Sequence, residues 1–491
     1  MAEHKFPLPT KQYIHGEYVD SLGTERLTLH SAVDGSLVSD ELSCAGAEDV
    51  DRAVESAQKA LKEWQALSTE QRRSIMLKYA DLIMEHAPRL GYLEAVLVGK
   101  GMAFGAGWEP SMCAELFRYF AGYIDKQEGD CFPSNHDGFL RIVHNEPLGV
   151  CAAINAFNSP MITFGMKAAP ALAAGNVIIN KASEMNPFST LALGELAIEA
   201  GFPKGALNVI VGAAAAGQAL SSHMKIRKIS FTGSVAVGKK IQIAATQSNL
   251  KRVTLELGGK SPVLVFDDAD LDLAVSEASN FLALNGQGCV LGTRVYVHES
   301  IAEKFVAGLK MRVEGYASTL GSDPHEMTTM SSPMYHERQK TTVMGHIEQA
   351  KKEAQLITGG DSWGDKGHWV QPTIFYKPID GAQIVSQEVF GPVIVVDTFA
   401  TEDEVLHKAN DTEYGLGAAV YTKDINRALR VTTALEAGTV TVNTSASFHV
   451  TVPFGGYKGV SCYIGSGIGR ENGKYVLREY SQSKSVIIKY T

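Results

Sequence analysis

Residues 228–246, KISFTGSVAVGKKIQIAAT, decide the fold class. KISFT has strand character, Gly233 ends it, and apolar residues at helical spacing run from Ser234 to about Thr246. A glycine turn that hands a strand directly to a helix is the unit of a parallel, doubly wound sheet. The chain around it repeats the alternation. GNVIIN (175–180) reads as strand, 189–200 as helix and Leu207–Val211 as strand. A second alternating region begins at SPVLVF (261–266) and passes through TRVYV (293–297), a helix over 300–313 and PVIVVDT (392–398) to GTVTV (438–442). Upstream, 47–64 and 68–86 carry helical spacing, the second opened by Ser68 as cap. FLRIVHNEPLGVCAAINA (139–156) reads as two β runs broken at Asn145–Pro147. SVIIKY (485–490) is an apolar strand with no local partner, of the kind that completes a neighbouring sheet, here another subunit's.

Composition narrows the class. At 491 residues the chain calls for about two to four structural units. An apolar fraction of 45%, a charged fraction of 20% and 47 glycines describe an α/β enzyme and exclude a disordered or fibrous chain. A net charge of −9 argues against nucleic acid or an anionic membrane as partner. Six cysteines stand without CxxC pairs or metal-ligand spacing, so neither disulfides nor a structural metal is expected. MAEHKFPLPT carries no cationic-then-apolar leader, which points to a cytoplasmic protein. Met161–Ala174, the longest apolar stretch, is interrupted by Lys167 and Pro170 and falls short of a membrane span.

Five short strings can carry chemistry, and each also has a plain structural reading. FTGSVAVG (231–238) presents a helix N-terminus suited to phosphate, but it lacks GxGxxG spacing and equally suits an ordinary turn capped by serine. NKASEMNP (180–187) puts Lys181 and Glu184 at a strand's carboxyl end, where they can bond ribose hydroxyls or simply pair in water. In LELGGKSP (255–262), Glu256 lies between leucines, whose apolarity would raise its pKa toward that of a general base; a solvated strand end reads the same way. INAFNSPM (154–161) offers the Asn158 amide to an oxyanion, or makes a simple turn. LNGQGCVLGTR (284–294) holds Cys289 among small residues, as nucleophile or as buried thiol.

The order of these strings decides among the readings. Asn158 in NxP, Lys181 with Glu184, FTGS at 231–234, ELGGK at 256–260, GQxC at 286–289, EVFGP with Glu388 and Phe390, PFGG at 453–456 and SGIGRE at 466–471 form a series that resembles the aldehyde dehydrogenase superfamily over nearly the whole chain. The resemblance implies a Rossmann-type cofactor domain, an α/β catalytic domain and a small β oligomerisation element. Their expected extents are 1–257 (excluding about 125–149), 258–453, and 125–149 with 475–491. It implies hydrolytic oxidation of an aldehyde to the acid. Cys289 would be the nucleophile, Asn158 and the Cys289 N–H the oxyanion donors, Glu256 the base for thioester hydrolysis, and Lys167 an electrostatic or proton-relay support.

For the cofactor the resemblance implies NAD, with NADP disfavoured by the carboxylate of Glu184. Lys181, Ser183 and Glu184 would serve the adenine ribose, and Gly233, Ser234 and Gly238 the pyrophosphate. Glu388 would hold the nicotinamide ribose with Phe390 packed nearby, and Ile154, Ala156, Phe157 and Leu257 would complete the groove. A homodimer or homotetramer follows from the same likeness. The substrate pocket would comprise Ser159, Met166, Gly288, Val290, Phe448 and Phe454, roomy and largely apolar.

The chain departs from the family pattern in informative places. Ala156–Phe157 replaces the usual Pro-Trp, and Ser159 and Met166 stand where relatives often carry large aromatics. KASE resembles the salicylaldehyde and vanillin dehydrogenase subgroup, so an aromatic or mid-length aliphatic aldehyde is expected. Between PFGGYK and SGIGRE, Gly459–Gly465 inserts about six residues near the substrate entrance, Cys462 among them. Two other functions remain open: a CoA-acylating relative, disfavoured because those enzymes generally lack a glutamate at the position of Glu256, and a non-catalytic paralogue.

Overall fold

The computed structural model describes residues 4–133, 136–445, 448–458 and 465–490. Insertion residues 459–464, with Cys462, lie outside them. The Gly233 unit forms as its pattern predicts: strand Lys228–Thr232 runs through Gly233 into helix Val235–Gln247, capped by Ser234. Around it lies an eight-stranded sheet in the order 467–468, 252–256, 228–232, 150–154, 177–182, 207–211, 12–14, 17–19. The five central strands are parallel. Strands Val150–Ile154, Val177–Ala182 and Leu207–Val211 are buried throughout, as strands covered by helices on both faces must be. Helix Thr69–Glu85 has a reciprocal capping box: the Ser68 hydroxyl accepts from the Gln71 N–H, and the Gln71 side chain accepts from the Ser68 N–H.

A second sheet of seven strands has the order 355–358, 373–376, 393–399, 292–298, 261–265, 417–421, 439–442. All its pairs are parallel except 355–358 with 373–376. The third sheet corrects two readings. Strand Ser481–Lys489 has a partner within its own chain: it pairs antiparallel with Phe139–Pro147, Ile487 opposite Arg141, across more than three hundred residues. The break in 139–156 falls after Pro147, at Leu148–Gly149 (Gly149 φ 117°), because the strand tolerates proline where the missing N–H faces no ladder partner.

Helix Pro160–Ala173 is buried at every residue, Lys167 included, so the apolar stretch 161–174 is a core helix packed between the first sheet and helix Glu109–Ala121. Among the described residues no helix is long and apolar enough to cross a membrane.

Candidate active site

The chain reverses sharply before Cys289. Leu284 (φ 52°), Asn285 (φ 51°) and Gly286 (φ 75°) are left-handed in succession, and each non-glycine residue so held costs about 1–3 kcal/mol. Gln287 offsets that strain. Its Nε2 donates to the carbonyls of Leu284 (3.0 Å) and Pro333 (3.3 Å), while its Oε1 accepts from the Tyr335 N–H (3.0 Å). Gly286 has no alternative here, because a Cβ would also overlap the Gly391 carbonyl. Two residues beyond this clamp stands Cys289, half-buried and leading into strand Gly292–His298. Burial, then the charges of Glu388 and Glu256, push its thiol up to about 12.

Glu256 ends strand Arg252–Glu256 and is fully buried, not a solvated strand end. The glycines after it permit two close approaches. A Cβ on Gly259 would overlap the Cys289 carbonyl, and one on Gly258 would overlap the Glu388 carboxylate. The turn therefore presses onto both, and Glu388 Oε1 accepts from the Gly259 N–H at 3.1 Å. Burial pushes Glu388 to about 7 against the pull of that N–H and of Lys260. A third glycine, Gly455, would place a Cβ 2.8 Å from Glu256 Oε1. Neither carboxylate oxygen of Glu256 has a hydrogen-bond partner among the described residues. Burial and the neighbouring Glu471 drive its pKa well above the ordinary carboxylate range, opposed by Lys167 and Arg470.

The structure adds residues that the motifs did not single out. Strand Gly467–Ile468 joins the sheet beside Arg252–Glu256, Gly467 opposite Glu256, and so carries Arg470 and Glu471 beneath the glutamate. Lys167 Nζ bonds Glu471 Oε1 (2.6 Å) and Thr232 Oγ1 (2.8 Å), and Ser230 Oγ also donates to Glu471 Oε1 (2.6 Å). Glu471 was visible only as the last letter of SGIGRE; its sheet partner is unreadable from sequence. Arg470 ties down PFGG through the Gly456 carbonyl at 2.6 Å. Asn158 is buried and donates from Nδ2 to the Gln287 carbonyl at 2.8 Å, which sets it against the turn that carries Cys289.

The candidate cofactor residues divide into two kinds. Lys181 Nζ pairs with Glu184 Oε2 at 2.9 Å at the carboxyl end of strand Val177–Ala182, a donor–acceptor set suited to a ribose diol. Ser234 is exposed at its helix N-terminus, where backbone N–H groups lack intrahelical partners. The Phe157 ring meets Phe390 edge-on at 5.9 Å and His336 at 5.2 Å. The other kind packs inward. A Cβ on Gly238 would sit 2.7 Å from the Leu257 side chain, Ile154 and Leu257 are buried, and the Ser183 hydroxyl accepts from the Met185 N–H. Ala156 is half-buried in the loop before Asn158.

Of the pocket residues, Phe448 and Phe454 meet edge-on at 5.7 Å, and Met166 is buried. Ser159, Gly288 and Val290 are half-buried, and a Cβ on Gly288 would press on Leu291.

Lys260 is buried, and its Nζ has no hydrogen-bond partner among the described residues. Burial, with Arg294 nearby, pulls its pKa down to about 7 from 10.5. A lysine lowered on folding opposes stability below the folded pKa, and the opposition fades as pH rises toward the unfolded value. Lys260→Met should therefore raise the melting temperature over wild type at pH 6, with the gain shrinking by pH 9. Equal gains at both would refute the sign.

A model of the "Aldehyde dehydrogenase family" matches residues 18–486. Aldehyde dehydrogenase 1A1 of Gallus gallus is 41% identical over 490 residues, covering 98% of this chain and 93% of that protein. Retinal dehydrogenase 2 of Homo sapiens is 40% identical, covering 98% and 92%. Among solved structures, an indole-3-acetaldehyde dehydrogenase mutant from P. syringae in complex with NAD+ and IAA superposes with TM-score 0.93 at 35% identity, covering 99% and 97%. An NADP-dependent enzyme of E. coli gives TM-score 0.92 at 36% identity, covering 98% of each chain.

Proposed function

The chain belongs to the aldehyde dehydrogenase family, and from that premise we propose that it oxidises an aromatic or mid-length aliphatic aldehyde to the carboxylic acid, with NAD, through covalent intermediates on Cys289. The observation that carries the hydrolytic form of this reading is Glu256, buried with both oxygens unpartnered among the described residues and close enough to raise the Cys289 thiol.

The Cys289 sulfur, on losing its proton, adds to the aldehyde carbon to give a hemithioacetal. The growing oxyanion is met by the Cys289 N–H and by the Asn158 amide, which has a second N–H beyond the one given to Gln287. When bound, the nicotinamide supplies the hydride acceptor that turns hemithioacetal into thioester. Glu256 then takes a proton from the water that attacks the thioester carbonyl, and the acid leaves as the sulfur is regenerated. A raised pKa suits that task, since a stronger base accepts the proton more readily. Lys167, locked between Glu471 and Thr232, keeps a cation beneath this carboxylate.

The donor set fits a dinucleotide: the Lys181–Glu184 pair for ribose hydroxyls, the open N-terminus after Ser234 for pyrophosphate, and Glu388 over the glycine turn for the second ribose. A 2′-phosphate would face the Glu184 carboxylate, which favours NAD. Glu184→Gln should narrow the NAD-to-NADP ratio of kcat/KM by at least about tenfold; an unchanged ratio would remove this argument. The small Ser159 and the Phe448–Phe454 pair support an apolar substrate of some bulk. An aldehyde panel monitored by NADH tests the class, and acid release without added CoA separates hydrolysis from CoA acylation. We also assign the cofactor role to the segment 1–257, excluding about 125–149, and the catalytic role to 258–453. The sheet of 139–147 and 481–489, with Ile487 and Ile488 exposed, supports a homo-oligomer built on that edge.

A further inference from the structure

Three charged side chains sit together in the interior, outside the chemistry above. Lys100 Nζ lies 2.5 Å from Glu94 Oε2 and 2.6 Å from Glu109 Oε2, and all three side chains are at most 1% exposed. Burial works against the lysine's charge, and the two carboxylates outweigh it. Replacing such a buried group by apolar residues of equal volume is often neutral or stabilising, so stability alone is a weak reason for it.

Apart from a bond that Glu94 Oε1 accepts from the Ser189 hydroxyl on the neighbouring helix, its remaining bonds reach toward one loop. Glu109 Oε1 accepts the Met161 N–H at 3.1 Å. Glu94 Oε2 accepts from Asn186 Nδ2 at 2.8 Å, and the same Nδ2 donates to the Phe157 carbonyl at 3.0 Å. Phe157 immediately precedes Asn158, and Met161 follows it by three residues. The loop between them is irregular, with Ser159 at φ −140°, ψ 69°. Lys100 Nζ also faces the Tyr335 ring at 5.7 Å, and the Tyr335 N–H holds Gln287, whose carbonyl receives the Asn158 amide. The loop is thus pinned on both sides of Asn158 by carboxylates that share one lysine.

We propose that the Glu94–Lys100–Glu109 cluster, working through Asn186 and the Met161 amide, is a positioning device that aims the Asn158 amide at the reacting carbonyl oxygen. The cluster touches neither substrate nor cofactor; it acts by holding two backbone points. The proposal rests on Asn158 being an oxyanion donor.

The test is a double-mutant cycle between Asn186 and Asn158, read as kcat, KM and melting temperature. Asn186→Leu keeps the branched heavy-atom skeleton, at a larger volume, but loses both hydrogen bonds, and should lower kcat roughly 10- to 100-fold with KM for aldehyde and NAD nearly unchanged. In an Asn158→Ala background the same change should alter kcat by less than about twofold, because the aimed group is gone. Tyr79→Phe is the stability control. It removes a buried bond to the Leu193 carbonyl (2.7 Å) that involves neither the cluster nor the loop, and should lower the melting temperature with kcat intact. Equal losses from Asn186→Leu in both backgrounds, or no loss in the wild type, would overturn the device while leaving Asn158 in its role. Wild-type kcat in Asn158→Ala alone would overturn the oxyanion reading itself, and the device with it.

Discussion

Cys289→Ala is expected to lower aldehyde-dependent NADH formation roughly ten-thousand-fold or more, with fold and cofactor affinity retained. Without the sulfur no hemithioacetal forms, and among the described residues no other cysteine stands where it could replace it. Cys113 and Cys151 are buried in the core around the eight-stranded sheet, Cys44 is buried as well, and Cys131 lies on the strand Asp130–Phe132. The fold should survive because the close packing around the residue is made by its carbonyl against Gly259, which alanine keeps. The thiol, raised to about 12, gives a second readout on the wild type. Thiolate fraction grows tenfold per pH unit below the pKa, so alkylation of Cys289 by iodoacetamide in the free enzyme should climb about tenfold per unit between pH 7 and 9. Turnover above a few per cent in the alanine variant would remove Cys289 from the mechanism.

Glu256→Gln should stall the enzyme after oxidation. General-base assistance contributes about 100- to 10,000-fold, and glutamine keeps the shape of the side chain while losing the proton acceptor. Steady-state kcat is expected to fall by that range. One equivalent of NADH per active subunit should still appear as a burst, and mass spectrometry should find an acyl adduct on Cys289. Because burial and Glu471 lift the glutamate above the usual range, acid release by the wild type should rise with pH as the carboxylate ionises. That limb should vanish in the variant. Slow turnover with neither burst nor adduct would place the slow step before the thioester and count against Glu256 as the hydrolytic base.

The positions that could be read along the chain were those where a local pattern has a local cause. Ser68 announces its helix through a capping box four residues long. The strand–glycine–helix unit at 228–247 follows from period and turn chemistry. Strand Ser481–Lys489 could be recognised as a strand but not assigned a partner, since its hydrogen bonds go to Phe139–Pro147. The same limit hid Glu471. Its importance arises from a two-residue strand that pairs with Arg252–Glu256, and nothing in GIGRE announces that contact. Likewise Glu94, Lys100 and Glu109 belong to no motif in the chain, and all three are buried.

Sequence by itself determined the order of elements, the family resemblance and which side chains are candidates for the chemistry, because spacing, side-chain chemistry and turn residues are properties of neighbours in the chain. Only the tertiary structure decided which groups share an environment: that Glu256 is desolvated beside a second carboxylate, that Lys167 is paired with Glu471, and that Asn158 is held from both sides. Burial and Coulombic coupling depend on distance in space, and the chain brings these residues together only when distant strands pair and helices pack.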